Sequence, residues 1–398
     1  MKIDVNSSEG IVTLTLQGRL DTASVEQATD DIRKMLAKAG TITQLVCEAG
    51  RLEYISSSGL RILLGLAKKY PGLRVTEVQP EVYSVLEMTG FTKLMTVERA
   101  LRRLSLEGCE VVGRGGVGTV YRLDDDTIIK VFREGTTMDE VRTEITMAKE
   151  AFLLGMPTAI SFDVVRVGCQ YGLVYELLRA ETLSTCIWRE PERLDEFARE
   201  YAQLLRQLHG IRVAEGGTIP RAIERERASV RRLRRYFAQE DVDLMLEIID
   251  AIPEGDRLLH LDLQTKNVMV QGGELMLIDM GEVGYGHPLL DLGHVYSAMV
   301  LLVGDHEQII GMPKTLCLRV WERTMEFYFE GESAETIARR RAQIEVAGCV
   351  RSFSWLSLSD SFPEELVNEC KAHFAERIRN RHDYIREVCR TFGDWKLD

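Results

Sequence analysis

The chain has 398 residues, of which 45% are hydrophobic and 28% charged, a balance typical of globular protein with two or three domains. The formal net charge of −12 argues against a dedicated nucleic-acid-binding protein, because such proteins are usually basic. Eight cysteines without metal-knuckle spacing, and the lack of an apolar leader or a membrane-length apolar segment, predict a reduced cytoplasmic protein with no membrane partner.

The first hundred residues alternate between strand and helix patterns. Three segments have the alternating or β-branched character of strands: 11–16, 41–47 and 73–77. Three segments have apolar residues at helical spacing: 24–38, 59–68 and 81–88. The alternation predicts a small α/β unit, a sheet covered by helices, over residues 1–98.

A different pattern begins at Ser105. Three strand-like segments follow one another without a helix between them: 105–113, 119–123 and 127–132. The chain turns helical after Asp139 and is mostly helical from about residue 185. These patterns predict an α+β arrangement, with a small β lobe at 105–178 and a large helical lobe at 179–398. We expect the charged stretch ERALRRL (98–104) to join the two units, with residues 99–104 as the linker. A helix is the structure expected for this stretch.

A glycine-rich loop lies between the first two of these strands. Gly113, Gly115, Gly118 and Val120 fit G-x-G-x-x-G-x-V, and such glycines let backbone N–H groups approach the phosphates of a cofactor. A strand follows the loop, which disfavours a Rossmann turn because that turn opens a helix. The chain also lacks the G-x-x-x-x-G-K-[ST] motif of P-loop NTPases.

Lys130 lies in an otherwise apolar strand, Ile128-Ile129-Lys130-Val131. A lysine is costly to bury unless it is paired, and a paired lysine can grip the α- and β-phosphates of a nucleotide. We expect Glu144 on the next helix to be its partner, with Glu140 and Glu150 as alternatives. The other interpretation is an edge-strand lysine whose ammonium group reaches solvent.

The segment 258–282 carries the strongest functional signal. His260-Leu261-Asp262 is followed by Asn267, and Asp279 comes twelve residues later, after two short strand patterns. In phosphoryl transfer one carboxylate orients the acceptor hydroxyl, while an amide and a second carboxylate hold Mg²⁺. We therefore expect Asp262 to be catalytic and Asn267 and Asp279 to be metal ligands. A polar turn before a surface hairpin is the alternative, but the order of all these features along the chain favours the functional interpretation.

With these motifs and the segments 153–159 (LLGMPTA) and 286–292 (GHPLLDL), residues 105–398 resemble the protein-kinase-like superfamily, most of all its aminoglycoside-phosphotransferase and choline-kinase branch. The resemblance implies a bilobal protein-kinase-like fold with ATP and Mg²⁺ bound between the lobes. It also places Tyr175-Glu176-Leu177-Leu178 at the hinge, where the backbone of Glu176 and Leu178 would hold the adenine.

Two departures from that family bear on activity. The family usually has His-Gly-Asp, whereas Leu261 replaces the glycine here, and its bulk could crowd the catalytic loop. Only six residues separate Gly281 from Pro288, whereas protein kinases use a longer segment to dock peptides. We therefore predict a small-molecule hydroxyl acceptor, with a serine/threonine protein kinase as one alternative. The other alternative, kept open by Leu261, is a regulatory nucleotide sensor with little catalysis.

Three segments of the first unit carry a second resemblance: 18–22 (GRLDT), 54–60 (YISSSGL) and 86–91 (LEMTGF). On these, residues 1–97 resemble the STAS domain of anti-sigma factor antagonists, which implies an α/β STAS-like sandwich and an anti-sigma-like protein partner. It also implies phosphorylation at Ser57, with Ser58 as the alternative, and a helix N-terminus favours such an anion. Ser56 stands where many members carry aspartate, and a plain N-cap and turn would explain the serines equally well.

Two further features are interpreted as structural. Seven arginines lie in 221–237, and we favour a solvated helix of the large lobe over an anion-binding patch. His209 is expected to end a helix, and His287 and His294 to orient the turn around Asp291 rather than bind metal.

Overall fold

A computed structural model of the chain describes residues 1–8, 10–178, 180–359, 361–395 and 397. The chain divides into two compact units: Met1–Ser105 with Val164–Cys169, and Leu106–Asp163 with Gln170–Asp398. Across the residues described, no helix combines the length and the apolar character needed to cross a membrane.

The first unit is a five-stranded sheet with helices packed against it. Its strands are β1 (Lys2–Ser8), β2 (Ile11–Leu20), β3 (Gln44–Ile55), β4 (Arg74–Val78) and β5 (Thr96–Arg99). Its helices are α1 (Val25–Lys38), α2 (Ser57–Lys69) and α3 (Pro80–Met88). The strands lie in chain order; β1 is antiparallel to β2, and the other neighbours are parallel and joined through a helix. This arrangement confirms the predicted α/β class.

The alternating apolar pattern of β2 in the sequence reflects which of its side chains are buried in the core of this unit. Val12, Leu14 and Leu16 alternate inward along β2 and are buried, whereas β1 buries only Ile3 among its residues. A strand with one buried apolar residue carries little period-2 signal, which explains why the sequence did not predict β1.

The stretch ERALRRL contains no helix, so that expectation is wrong. β5 ends at Arg99 and a two-residue strand, β6 (Arg102–Arg103), follows. Val97 pairs with Val75 of β4 in a parallel ladder. Pairing with the sheet therefore outweighs the local helical character of the charged residues.

The second unit begins with the predicted β-meander. Its strands and helix are β7 (Glu110–Arg114), β8 (Gly118–Arg122), β9 (Thr127–Phe132), α4 (Met138–Leu153), β10 (Ser161–Val167) and β11 (Gln170–Glu176). β7, β8 and β9 pair antiparallel in sequence, and β11 pairs with the other side of β9. β6 pairs in parallel with 165–166 of β10, and residues 164–169 accordingly group with the first unit.

The helical remainder carries two small sheets. Its helices are α5 (Leu183–Arg189), α6 (Leu194–Gly210), α7 (Ala222–Arg232), α8 (Gln239–Ala251), α9 (Leu289–Tyr296), α10 (His306–Ile309), α11 (Lys314–Tyr328), α12 (Ala334–Ser354), α13 (Glu364–Arg377) and α14 (His382–Arg390). Its strands are β12 (Glu181–Thr182), β13 (Arg257–Leu259), β14 (Val268–Gln271), β15 (Glu274–Leu277) and β16 (Gly284–Gly286). A sheet-rich start and a helix-rich remainder confirm the predicted α+β class of this unit.

Candidate active site

The glycine-rich loop connects β7 to β8. Gly113 pairs with Val120 across the ladder, and the Gly115 N–H donates to the Gly118 carbonyl oxygen at 2.9 Å, which closes the turn. A Cβ on Gly118 would overlap the backbone carbonyl of Val131 on the neighbouring strand. Gly118 is therefore required by the protein's own packing, whereas a Cβ on Gly113 or Gly115 meets only ordinary van der Waals contacts.

Lys130 is held between two carboxylates. Its Nζ lies 2.8 Å and 2.9 Å from the two oxygens of Glu144 and 2.9 Å from Asp279 Oδ1. Burial lowers the pKa of the ammonium group, but the charges of Asp279 and Glu144 more than offset this and raise its pKa overall. The lysine is therefore fully charged at neutral pH although only 14% of its side chain is exposed.

Glu144 is the one of the three glutamates on α4 that the structure places against Lys130. Glu140 instead completes a capping box with Thr137 at the helix N-terminus. Tyr175 adds a further contact, since its hydroxyl donates to Glu144 Oε1 at 3.0 Å. Burial and the nearby Glu144 raise the pKa of this phenol, so it stays protonated and remains a donor.

The predicted hinge follows Tyr175 directly. Glu176 is the last residue of β11 and pairs with Thr127, while the Leu177 N–H donates to the Asp126 carbonyl oxygen at 2.7 Å. Leu178 follows outside the strand and is partly exposed. A role for the backbone of Glu176 and Leu178 in holding adenine stays a prediction.

The loop after β13 brings Asp262 and Asn267 together. The Asn267 side-chain amide donates to the backbone oxygen of Asp262 at 2.8 Å and to Asp262 Oδ2 at 2.9 Å. Since the amide nitrogen is used for these bonds, the amide oxygen is the atom of Asn267 left to serve as a cation ligand. Burial raises the pKa of Asp262, but the hydrogen bond from His294 and the positive charge near the carboxylate, that of Arg351 included, outweigh burial and lower it, so this carboxylate is ionised.

Asp279 lies at the end of the β14–β15 hairpin, in a left-handed backbone conformation with φ of 61°. The Ile278 N–H donates to the Asn267 carbonyl oxygen at 3.0 Å. His260 joins the same segments, because its Nδ1 accepts from the Asp262 N–H at 3.2 Å and its Nε2 donates to the Ile278 carbonyl oxygen at 3.1 Å. These bonds hold the two predicted metal ligands on adjacent backbone segments.

Asp291, which the sequence analysis mentioned only as part of a turn, supports the loop 260–267 that carries Asp262 and Asn267, named here the catalytic loop. Its carboxylate is fully buried and accepts from the backbone N–H of His260 at 2.9 Å and of Leu261 at 2.7 Å. His209 Nε2 lies 3.2 Å from the same carboxylate. Burial raises the pKa of Asp291, but its bonds to His209 and the loop lower it overall, so it is ionised.

Leu261 is buried at 2% exposure. Its φ of 63° lies in the left-handed region, which is unfavourable for most residues other than glycine. A glycine, usual at this position in the resembled family, would adopt this conformation without strain. The side chain packs toward Gly284, whose missing Cβ leaves room for it. Its bulk therefore packs into the core of the helical lobe behind the loop.

His294 contacts the site, which the sequence analysis did not predict. Its Nε2 lies 3.1 Å from Asp262 Oδ1, and its Nδ1 accepts from Arg351 Nε at 2.9 Å. Arg351 also pairs with Glu226. His287, by contrast, orients its own turn as expected, since its Nδ1 accepts from the Leu289 N–H at 3.1 Å. Histidine and arginine at distant positions gave no signal in the sequence, because only the fold brings them together.

The residues present fit a magnesium ion but not a metal held by protein alone. Among the described residues, no three His, Cys, Asp or Glu side chains cluster as a metal cage would require. Asp279 and the Asn267 oxygen supply one carboxylate and one amide. This is the ligand set that Mg²⁺ takes in phosphate-transferring sites, where substrate phosphates and water complete its octahedron.

In the first unit, the three serines before α2 have different environments. Ser56 caps the helix, with its Oγ accepting from the Gly59 N–H at 3.3 Å, and Ser58 Oγ lies 2.8 Å from Ser56 Oγ. Ser57 is exposed at the first position of the helix. The capping role therefore belongs to Ser56, and Ser57 is the accessible hydroxyl.

The arginine-rich stretch forms α7, and several of its arginines are paired. Arg225 lies 2.9 Å from Glu282, and Arg227 lies 2.7 Å from both Asp250 and Glu224. These contacts agree with the solvated-helix interpretation.

Comparison with known proteins assigns the two units separately. A sequence model of the phosphotransferase enzyme family matches residues 109–327, and one of the STAS domain matches residues 2–104. BtrV of Bordetella bronchiseptica, named as an anti-sigma factor antagonist, is 32% identical over 101 residues, 24% of this chain and 85% of that protein. The anti-sigma F factor antagonist of Paenibacillus polymyxa is 28% identical over 104 residues, 24% of this chain and 86% of that protein.

Among solved structures, a choline/ethanolamine kinase family protein from Mesorhizobium loti has 16% identity and a TM-score of 0.48, covering 72% of this chain and 92% of that one. The ADP-bound aminoglycoside phosphotransferase APH(2'')-Ib has 14% identity and a TM-score of 0.45, covering 74% and 96%. Choline kinase LicA from Streptococcus pneumoniae has 16% identity and a TM-score of 0.43, covering 74% and 97%.

Proposed function

The chain belongs to the phosphotransferase enzyme family and carries a STAS domain at its N-terminus, and on that premise we propose that it transfers phosphate from ATP to a hydroxyl group with Mg²⁺ as cofactor. One observation supports this most: Lys130 is salt-bridged to Glu144 and to Asp279. Asp279 ends the hairpin that follows Asn267, and Asn267 in turn bonds to Asp262. Phosphoryl transfer depends on positioning and charge stabilisation, and this group of residues provides both.

Each residue has a distinct part in the proposed reaction. Lys130, aligned by Glu144, binds the phosphates, and the glycine loop covers them with its backbone N–H groups. Asn267 and Asp279 would hold Mg²⁺, which would neutralise charge on the phosphates. Asp262 accepts or orients the proton of the attacking hydroxyl. Asp279 contacts Lys130 through Oδ1, so Oδ2 would be the oxygen that binds the cation.

The short segment that follows Asp279 supports a small-molecule acceptor. Only four residues separate Asp279 from β16 (Gly284–Gly286), which pairs with β13 and is buried. The segment is therefore part of the helical lobe's core and does not form the exposed loop on which a kinase docks peptides. A serine/threonine protein kinase is the second candidate, because Ser57 on the same chain is an exposed hydroxyl at a helix N-terminus.

We place the STAS unit as an interaction or regulatory module, with an anti-sigma-like protein as the partner. Its similarity to anti-sigma factor antagonists supports this role. All eight cysteines are free thiols, which supports a cytoplasmic location because reduced thiols persist there.

Transfer from γ-labelled ATP tests the function and its alternatives together. The full chain is incubated with Mg²⁺ and panels of amino alcohols, sugars and serine-containing peptides, and each product is separated and counted. Label on a small molecule supports the proposal. Label on peptides alone supports the protein kinase, and nucleotide binding without any transfer supports the sensor.

The same reaction tests phosphorylation of the chain itself. If Ser57 is the target, label on the protein is lost in Ser57→Ala and kept in the matched Ser58→Ala. Labelling that is unchanged in Ser57→Ala contradicts this part of the proposal.

A further inference from the structure

Helices α9 and α12 approach each other closely behind the catalytic loop. They cross where Gly293 faces Gly348, and a Cβ on Gly348 would come within 2.8 Å of the Gly293 carbonyl oxygen. The next residue on α9 is His294, and Arg351 follows one turn later on α12. The two glycines therefore let side chains from separate helices reach the same point.

Arg351 uses its guanidinium group to join three elements. Its Nη2 donates to the Leu261 carbonyl oxygen of the catalytic loop at 2.9 Å, and its Nη1 donates to Glu226 of α7 at 2.7 Å. Its Nε donates to Nδ1 of His294 on α9 at 2.9 Å. Glu226 is buried at 3% exposure, so the ion pair fixes the guanidinium in one orientation.

This geometry fixes the tautomer of His294. A guanidinium can only donate, so Nδ1 of the imidazole must carry a lone pair, and the ring proton must lie on Nε2. Nε2 is the atom 3.1 Å from Asp262 Oδ1, so His294 donates to that carboxylate oxygen. The other oxygen, Oδ2, accepts from Asn267.

We propose that His294, held by Arg351, is a positioning residue that fixes the orientation of the Asp262 carboxylate. This role rests on the proposed function, in which Asp262 meets the acceptor hydroxyl. With Oδ1 held by His294 and Oδ2 by Asn267, rotation of the carboxylate about its Cβ–Cγ bond would break both hydrogen bonds. Arg351 also holds the carbonyl of Leu261, whose strained backbone precedes Asp262 in the chain.

Two substitutions separate the two hydrogen bonds of His294. The amide nitrogen of glutamine can reach the place of Nε2, so His294→Gln keeps a donor to Asp262. Asparagine reaches only the place of Nδ1, so His294→Asn keeps a partner for Arg351 but loses the donor. The control is His373→Asn, since His373 is a partly exposed histidine on α13 that contacts Glu369 and Glu376.

Kinetics provide the first test, with Mg·ATP as the probe and water as the acceptor. We expect His294→Asn to lower kcat for ATP hydrolysis by about tenfold or more with an unchanged nucleotide Kd, and His294→Gln and the control to stay within about threefold of wild type. A His294→Asn variant that hydrolyses ATP as fast as wild type overturns the positioning role.

Nitrogen-15 NMR of the histidine rings provides the second test, and it needs no turnover. The His294 signal is identified by its loss in His294→Gln, and we expect the proton on Nε2. A proton on Nδ1 overturns the inference. If wild type neither hydrolyses Mg·ATP nor transfers phosphate to any acceptor of the panels, the proposed function is contradicted, while the tautomer still decides how His294 is held.

Discussion

Replacing Asp291 should destabilise the second unit strongly, because this buried carboxylate is a hydrogen-bond acceptor for the catalytic loop. Asp291→Ala leaves the N–H groups of His260 and Leu261 buried without a partner. Each such group costs about 1–3 kcal/mol, so together they should lower the free energy of unfolding by about 2–6 kcal/mol. Asp291→Asn keeps one acceptor oxygen and should cost about 1–3 kcal/mol.

Urea unfolding followed by tryptophan fluorescence measures this change in the intact chain. The four tryptophans all lie in the second unit, so their signal reports that unit alone: Trp188, Trp321, Trp355 and Trp395. The matched control is Asp195→Ala, whose carboxylate is 63% exposed and pairs with Arg323, and it should change the free energy by about 0.5 kcal/mol or less. Equal effects of Asp291→Ala and Asp195→Ala would refute the assigned support of the loop.

The same residue should contribute to acid sensitivity. The pKa of Asp291 is lowered in the folded chain, so its contribution is complete above the pKa of the unfolded chain and is lost as pH falls through the folded value. Unfolding free energy should therefore fall less steeply with acid in Asp291→Asn than in wild type. An identical acid limb in the two proteins would contradict this linkage.

Three further substitutions test the site. Gly118→Ala should disrupt the β8–β9 ladder and weaken nucleotide binding. Gly116→Ala should do neither, because a Cβ at Gly116 would point into open space. Equal nucleotide Kd values for the two variants would contradict the packing argument. Leu261→Gly should relieve about 1–2 kcal/mol of backbone strain but lose the packing of a buried side chain, which is normally worth about 2–5 kcal/mol. Urea unfolding followed by tryptophan fluorescence should therefore show a net loss of stability. A gain in stability would show that the strain dominates. Tyr175→Phe removes one hydrogen bond to Glu144, which is worth about 1 kcal/mol, so ATP affinity measured by calorimetry should fall about fivefold. Unchanged affinity would mean that Glu144 does not need this hydrogen bond to hold Lys130.

The sequence predicted the fold class and the local motifs because these depend on short-range patterns. Period-2 alternation marked β2, and helical spacing marked α1 and α2. The wrong helix in ERALRRL shows where such patterns fail, since β5 exists only because β4 lies beside it. Local propensity carries no information about a partner strand.

The residues of the candidate site also fall into those that the sequence identified and those that it did not. Asp262 and Asn267 lie on one loop and Asp279 follows the next hairpin, so their spacing alone suggested that their side chains lie close together. Glu144 could be named but not separated from its neighbours, because the choice depends on which turn of α4 faces Lys130. His294 and Arg351 could not have been found, since a helix crossing through two glycines places them at Asp262.

Mg·ATP turnover, measured beside nucleotide binding for wild type and Asp262→Asn, tests the central claim most directly. Asparagine keeps the shape of the side chain but cannot accept the proton, and general-base catalysis is worth about 10²–10⁴-fold. The account predicts similar nucleotide Kd values for both proteins and turnover at least about a hundredfold lower in the variant. Equal turnover in the two proteins, or no nucleotide binding by wild type, would contradict it.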